Sequence, residues 1–294
     1  MSEFRSGFVA ILGRPNVGKS SIMNYFIGEK VAIVSNHPQT TRSKLLGVAT
    51  RKDWQIVFVD TPGLHKPRTR LGEYMMKTAE DAKEGVDAVL AVVDGQRIGG
   101  GDRAVLSDIQ SMNCPRFLAV NKIDIVPPEK LMPQLAELNE FHFDQIFSVS
   151  ARTGENIDLL TQKLIEAMPE GPKYFPDDMI TDQPERVMCA EIIREKALNN
   201  LRDEIPHGVG VEMLQIKKVS DNLTEIHANV YCEKESHKSI IIGKQGAMLG
   251  RIGSQARVDI ERLLGTKVML KLWVKVRLDW RNRAGDLRTL GYED

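Results

Sequence analysis

The sequence predicts an α/β domain with a mostly parallel, doubly wound sheet, followed by a smaller α+β domain. Three observations carry this reading. From Gly7 to about Met168, short apolar runs alternate with stretches of helical period. Pro169-Glu170-Gly171-Pro172 and Pro176-Asp177-Asp178 then break the alternation. Beyond them, the alternating runs Gly210 to Val219 and Leu223 to Cys232 flank Ser220-Asp221-Asn222 and read as a hairpin. The boundaries that follow are 1–168 for the first domain, 169–184 for a linker, 185–283 for the second domain and 284–294 for a tail. At 294 residues the chain is long enough to give each domain its own core.

In order, Gly7 to Leu12 reads as a buried strand and Ser20 to Gly28 as a helix. Gln55 to Val59, Val86 to Val93, Arg116 to Val120 and Gln145 to Val149 read as further strands, with helices over Asp102 to Met112 and Asn156 to Met168. Each run is 5 to 8 residues of mostly apolar side chains, the signature of strands covered on both faces. In such a sheet the ligand belongs at the carboxyl ends of the strands.

Five motifs fall at strand ends or the loops beside them. Gly13-Arg14-Pro15-Asn16-Val17-Gly18-Lys19-Ser20 fits GxxxxGK[ST] between a strand and a helix. Glycines at 13 and 18 let backbone N–H groups converge on phosphate, and the helix adds roughly half a positive charge at its start. Lys19 is expected on the β and γ phosphates, the Ser20 hydroxyl on Mg²⁺, and Val17 and Ser21 beside them. Asp60, ending a strand, is expected to hold the magnesium, with Thr61, Pro62 and the γ-phosphate-facing Gly63 following it. In the polar stretch from Ser35 to Arg42, Thr41 is expected to complete the magnesium shell when the loop closes; Thr40 competes for that place.

Asn121-Lys122-Ile123-Asp124 selects the base. A carboxylate can accept from both the ring N–H and the exocyclic amine of guanine, whereas adenine would leave that buried acceptor unpaired, a loss of about 10⁴ or more in discrimination. The ligand read from these residues is therefore GTP or GDP. Ser150, Ala151 and Arg152 are expected to close the base pocket.

Formal charge is zero, with 40 basic and 40 acidic residues, but it is segregated. From Glu233 to Arg283, twelve Lys or Arg stand against five Asp or Glu, which suggests a polyanion partner for the second domain. Three separated cysteines, with no CxxC pair, argue for a reduced compartment and against a disulfide frame or a zinc site. No run of about eighteen apolar residues exists to span a bilayer, and the opening residues do not form a signal peptide. The expected location is cytoplasmic.

In the second domain, a helical stretch from Glu185 to Leu201 precedes the hairpin, a helical stretch reaches Leu264 and a strand covers Val268 to Val276. Gly243-Lys244-Gln245-Gly246 is a GxxG turn between helices, the element with which KH domains clamp an RNA backbone. The expected RNA contacts are Ile241, Ile242, Gly243, Lys244, Gln245, Gly246, Leu249, Arg251 and Ile252, with Ile240 beside them. Trp273 and Trp280 could stack on bases, although alternation with Leu272 and Val274 favours a packing role for Trp273.

From about Phe4 to Tyr292 the chain resembles the Era family of bacterial GTPases, in which a Ras-like P-loop G domain precedes a type II-like KH domain. The resemblance implies GTP hydrolysis, binding of 16S ribosomal RNA near its 3′ end, and a part in small (30S) ribosomal subunit biogenesis. It also implies peripheral association with the inner membrane; a monomer is expected. Leu64 stands where many Ras-like proteins keep a water-positioning glutamine, and Arg14-Pro15-Asn16 resembles loops in which the asparagine helps to hold K⁺. The expected catalytic set is Asn16, Lys19, Thr41 and Gly63. Gly250 and Arg251 depart from the pattern of relatives, which often carry a lysine and a neutral residue there. Two alternatives stay open at this point: a GTPase that drives RNA modification, and a KH-like domain that docks protein.

Overall fold

The computed structural model describes residues 4–35, 37, 40–63, 67, 69–202 and 205–292, which fold into two compact units, the first mainly up to residue 182 and the second mainly from 183. The chain first runs through β1 (Arg5–Leu12), α1 (Lys19–Ile27), β2 (Leu45–Thr50), β3 (Trp54–Asp60) and α2 (Arg70–Asp81). It continues with β4 (Ala88–Asp94), α3 (Gly100–Ile109), β5 (Arg116–Asn121), α4 (Pro128–Leu138), β6 (Gln145–Ser148) and α5 (Ile157–Ala167). The six strands lie in the order β2-β3-β1-β4-β5-β6, with every pairing parallel except β2 against β3. Strand order reverses at β1, so a crevice opens beyond Leu12, where the phosphate-loop sequence begins.

Alternation along β1 explains the double layer. Val9 and Ile11 join a core shared with α1 and α5, while Ala10 and Leu12 join a second core shared with α3. All four are fully buried, so the strand reads as an unbroken apolar run. The segment expected as a linker continues along this unit: Ser6 N–H donates to the Pro169 carbonyl at 3.0 Å and Val48 N–H to that of Ile180 at 2.9 Å. Fully buried Gln55 accepts from Tyr174 and Phe175 N–H at 2.7 and 3.0 Å and donates to the Phe175 carbonyl at 2.8 Å.

The second unit contains α6 (Glu185–Asn200), β7 (Gly210–Ser220), β8 (Leu223–Cys232), α7 (Glu235–Ile242), α8 (Ala247–Leu264), β9 (Lys267–Val276) and α9 (Ala284–Thr289). Its sheet order is β7-β8-β9, antiparallel then parallel. Ile226, Ala228 and Val230 of β8 and Val268 and Val274 of β9 face a core built with Ile192 and Ile193 of α6 and Ile252, Ala256 and Ile260 of α8. The intervening residues of β8 and β9 take the opposite face. Beyond β9, Leu287 and Tyr292 are buried, so the expected tail is packed structure.

Two expectations for tryptophan are reversed. Trp280 is fully buried with its indole N–H donating to the Gly208 carbonyl at 2.9 Å, so it cannot stack on a base. Trp273 is 43% exposed, on the face of β9 opposite the core residues Val268 and Val274.

Candidate functional site

The phosphate loop owes its shape to backbone conformations that few residues adopt. Gly18 has φ 103°, and a Cβ there would lie 2.1 Å from Asn121 Nδ2. Behind the loop, Lys19 is nearly buried and its ammonium donates to the carbonyls of Gly13 and Arg14 at 3.2 and 3.1 Å. Burial pushes the Lys19 pKa down, and the Asp60 carboxylate opposes that shift.

Three oxygens expected to serve one cation stand together. Ser20 Oγ donates to Asp60 Oδ2 at 2.6 Å and lies 3.1 Å from Thr41 Oγ1, which donates to the same carboxylate oxygen at 3.3 Å. Burial raises the Asp60 pKa against the opposing effects of Lys19, Ser20, Thr41 and the Thr61 N–H. A carboxylate and two hydroxyls in a desolvated cluster fit a hard divalent cation, which would favour the charged form that burial disfavours. The geometry brings Thr41, rather than Thr40, onto Asp60. Thr61 Oγ1 donates to the Ile11 carbonyl at 3.0 Å, tying the end of β3 to β1. Thr61, Pro62 and Gly63 are buried, and a Cβ on Gly63 would lie 2.4 Å from Pro15 N, so only glycine passes this close to the phosphate loop. Leu64 lies outside the described residues.

The loop read as base-binding is tied to the phosphate-loop sequence by side chains. Asn121 Nδ2 donates to the Val17 carbonyl at 2.9 Å, while its Oδ1 accepts from Ala151 N–H at 3.0 Å. Ser150 Oγ donates to Asp124 Oδ1 at 2.7 Å, orienting the carboxylate read as the guanine selector. Lys122, at φ 67°, donates to the Asn16 carbonyl at 2.8 Å and to Asp94 Oδ2 at 2.6 Å. Ser21 is half-buried on α1, and Arg152 is exposed at the rim. Two participants escaped the sequence reading: Asp94, which holds Lys122, and nearly buried Asp102, whose Oδ2 lies 3.3 Å from an Arg14 guanidinium nitrogen. Asp94 ends β4 at the ligand side of the sheet, a positional signal that could have exposed it.

In the second unit, the GxxG turn has positive φ at Gly243, Gln245 and Gly246, with Lys244 and Gln245 exposed at its tip. A Cβ on Gly243 would lie 2.7 Å from Met248 Cβ. A groove of about 380 Å³ runs between α8 and β9, lined by Leu249, Gly250, Gly253, Arg257, Leu270 and Leu272 among others. Ile242 and Leu249 are half-buried beside the turn and Arg251 is exposed. Ile241 and Ile252, however, are fully buried in the core and cannot touch RNA; the helical period turns them toward the sheet.

Comparison with known proteins gives two family matches: a 50S ribosome-binding GTPase over residues 8–122 and a KH domain over 204–281. The chain is 53% identical to GTPase Era of Alkaliphilus metalliredigens, over 99% of this chain and 100% of that one. It is 50% identical to GTPase Era of Clostridium botulinum strain Eklund 17B, over 99% of each. Among solved structures, Era in complex with MgGDPNP and nucleotides 1506–1542 of 16S ribosomal RNA superposes with a TM-score of 0.94 at 38% identity, covering 99% of this chain and 100% of that one. A point variant of Aquifex aeolicus Era bound to GDP.AlF4- matches with the same score, identity and coverage.

Proposed function

The chain belongs to the Era family of GTPases, and from that premise we propose that it is a GTP-hydrolysing switch that binds 16S ribosomal RNA near its 3′ end and assists small-subunit biogenesis. The observation that carries the reading is the convergence of Ser20, Thr41 and Asp60 oxygens beside Lys19, in the unit that also presents Asp124. Lys19 would exchange the Gly13 and Arg14 carbonyls for phosphate oxygens. Ser20, Thr41 and Asp60 would hold magnesium, which when bound neutralises charge developing on the phosphates. Gly63, next to Pro15, would offer its backbone N–H to the γ-phosphate. Asp124, oriented by Ser150, would accept from guanine, and Ala151 would line the base. Calorimetric binding of GTP with none of ATP is the expected result; the opposite preference refutes the reading.

With leucine at position 64, no side chain there can orient the attacking water. We therefore infer slow intrinsic hydrolysis, raised by K⁺ held with help from Asn16 or by the ribosomal partner. Equal rates in sodium and potassium for wild type and Asn16→Ala would refute the potassium role.

RNA would lie against Gly243, Lys244, Gln245 and Gly246, with Ile242, Leu249 and Arg251 at the groove. GTP would order the loops carrying Thr41 and Gly63, and hydrolysis would reset RNA affinity; identical dissociation constants with GDP and a non-hydrolysable GTP analogue would end that proposal. No helix among the described residues is long and apolar enough to cross a membrane. A cytoplasmic location with peripheral attachment to the inner membrane belongs to the proposal and is tested by fractionation.

A further inference from the structure

We propose that the open face of the three-stranded sheet in the second unit is a second contact surface for single-stranded RNA, carrying the strand onward from the GxxG groove around the β9 edge. The inference rests on the groove being the first RNA site.

β9 is an edge strand, and its two faces do different work. Leu270 and Leu272 line the groove on the α8 side. Between and beyond them, Lys271, Trp273 and Lys275 project from the opposite face and are exposed. A strand leaving the groove past Leu272 therefore meets Trp273 one residue further along the same edge.

The register supplies the rest of the surface. His227 of β8 pairs with Lys271 and with Gln215 of β7, and Lys217 pairs with Glu225. The Trp273 and His227 rings meet edge to face with centroids 5.3 Å apart, although Trp273 remains 43% exposed. The cations around them are Lys217, Lys271 and Lys275; Glu212, which accepts from Tyr231 and Asn229, lies near Lys275, and the other carboxylate of this face is Glu225. That carboxylate is already engaged by Lys271 at 2.8 Å and by His227 Nε2 at 2.9 Å. Among the described residues, neither Lys217 nor Lys275 makes an ion pair, although the Glu212 carboxylate attracts Lys275 at longer range.

An aromatic ring with an exposed π-face, set among cations on an open sheet, is the arrangement on which successive bases stack while phosphates are neutralised. A core role for Trp273 is excluded by its exposure. A purely solvated face would not need the exposed tryptophan. Continuity with the groove through one strand is what selects RNA as the occupant.

The test uses the full chain and two single-stranded RNAs. One has about four nucleotides, the length a GxxG turn clamps. The other has about twelve, enough to run on past the groove. Trp273→Ala is expected to weaken the longer RNA by about ten-fold, the usual worth of one stacked base, and to leave the shorter one unchanged. Lys271→Ala with Lys275→Ala is expected to lower the log–log salt slope for the longer RNA by about 1.4. In wild type, tryptophan fluorescence should be quenched by the longer RNA only, since Trp280 is buried and Trp54 lies in the other unit. Unchanged affinity of Trp273→Ala for the longer RNA overturns the proposal and leaves the groove intact. Equal weakening for both lengths assigns Trp273 to the groove and also overturns it. Failure of wild type to bind either RNA refutes the groove reading, and the proposal falls with it.

Discussion

Asp94→Asn tests whether recognition of the base and of the phosphates is mechanically coupled. Lys122 links Asp94 Oδ2 at 2.6 Å to the Asn16 carbonyl at 2.8 Å, joining the end of β4, the base loop and the phosphate loop. A hydrogen bond between ionised partners contributes about 1.5–3 kcal/mol when shielded. Here the lysine and aspartate side chains are 30% and 21% exposed, so solvent screening reduces the expected loss to about 1 kcal/mol. Asparagine keeps an acceptor in place and removes only the charge, and GDP affinity should therefore fall about five-fold. Lys122→Ala removes both bonds and should cost more. Combining the two changes should cost no more than Lys122→Ala alone, because one interaction cannot be lost twice. The assay is equilibrium titration with fluorescent GDP, with thermal unfolding as a check on the fold. GDP affinity unchanged in Asp94→Asn, or full additivity in the double variant, would refute the coupling.

Gly18→Ala should abolish measurable nucleotide binding in calorimetry, since its methyl group would occupy the place of Asn121 Nδ2 at a backbone φ of 103°. Gly250→Ala should raise thermal stability by about 0.5–1 kcal/mol, because the residue sits within α8 and a Cβ there meets nothing within 4 Å. A destabilised Gly250→Ala protein would contradict that environment. Burial pushes the Cys189 thiol up to about 12 and that of Cys232 up to about 11. Both should resist a thiol reagent at pH 8 until the chain unfolds; rapid labelling of either in the native state would count against this. The sign for stability follows: the unfolded thiolate forms from about pH 9 while the folded thiol stays protonated, so stability is lost as pH rises beyond that point.

Much of the first unit was legible because phosphate chemistry leaves few alternatives. Glycines at 13 and 18, a lysine at 19 and a strand-ending Asp60 are read from backbone approach and charge, and in the structure Lys19 donates to the Gly13 carbonyl while Ser20 donates to Asp60. Neighbouring hydroxyls at 40 and 41 are chemically alike, so only the three-dimensional path of the loop could separate them. The strand β2 went unread because Leu45–Thr50 is short and lies antiparallel at the sheet edge, outside the alternation of strand and helix. Trp273 misled because period-two alternation tells which face a residue takes, and says nothing about what covers that face. Ile241 and Ile252 misled in a related way: an apolar residue near a groove serves the core as readily as the ligand.

The Gln55 anchorage has a practical corollary for dissecting the protein. Its amide satisfies Tyr174 and Phe175, and Ile180 extends the hydrogen bonding along Val48, so residues past 168 finish the packing of the nucleotide-binding half. A fragment cut after Met168 would leave the Gln55 amide with Thr50 Oγ1 but without the three backbone partners at Tyr174 and Phe175, and would bare the flank of β2. An autonomous GTPase fragment should accordingly be cut near Asp182, where the compact body of that half stops.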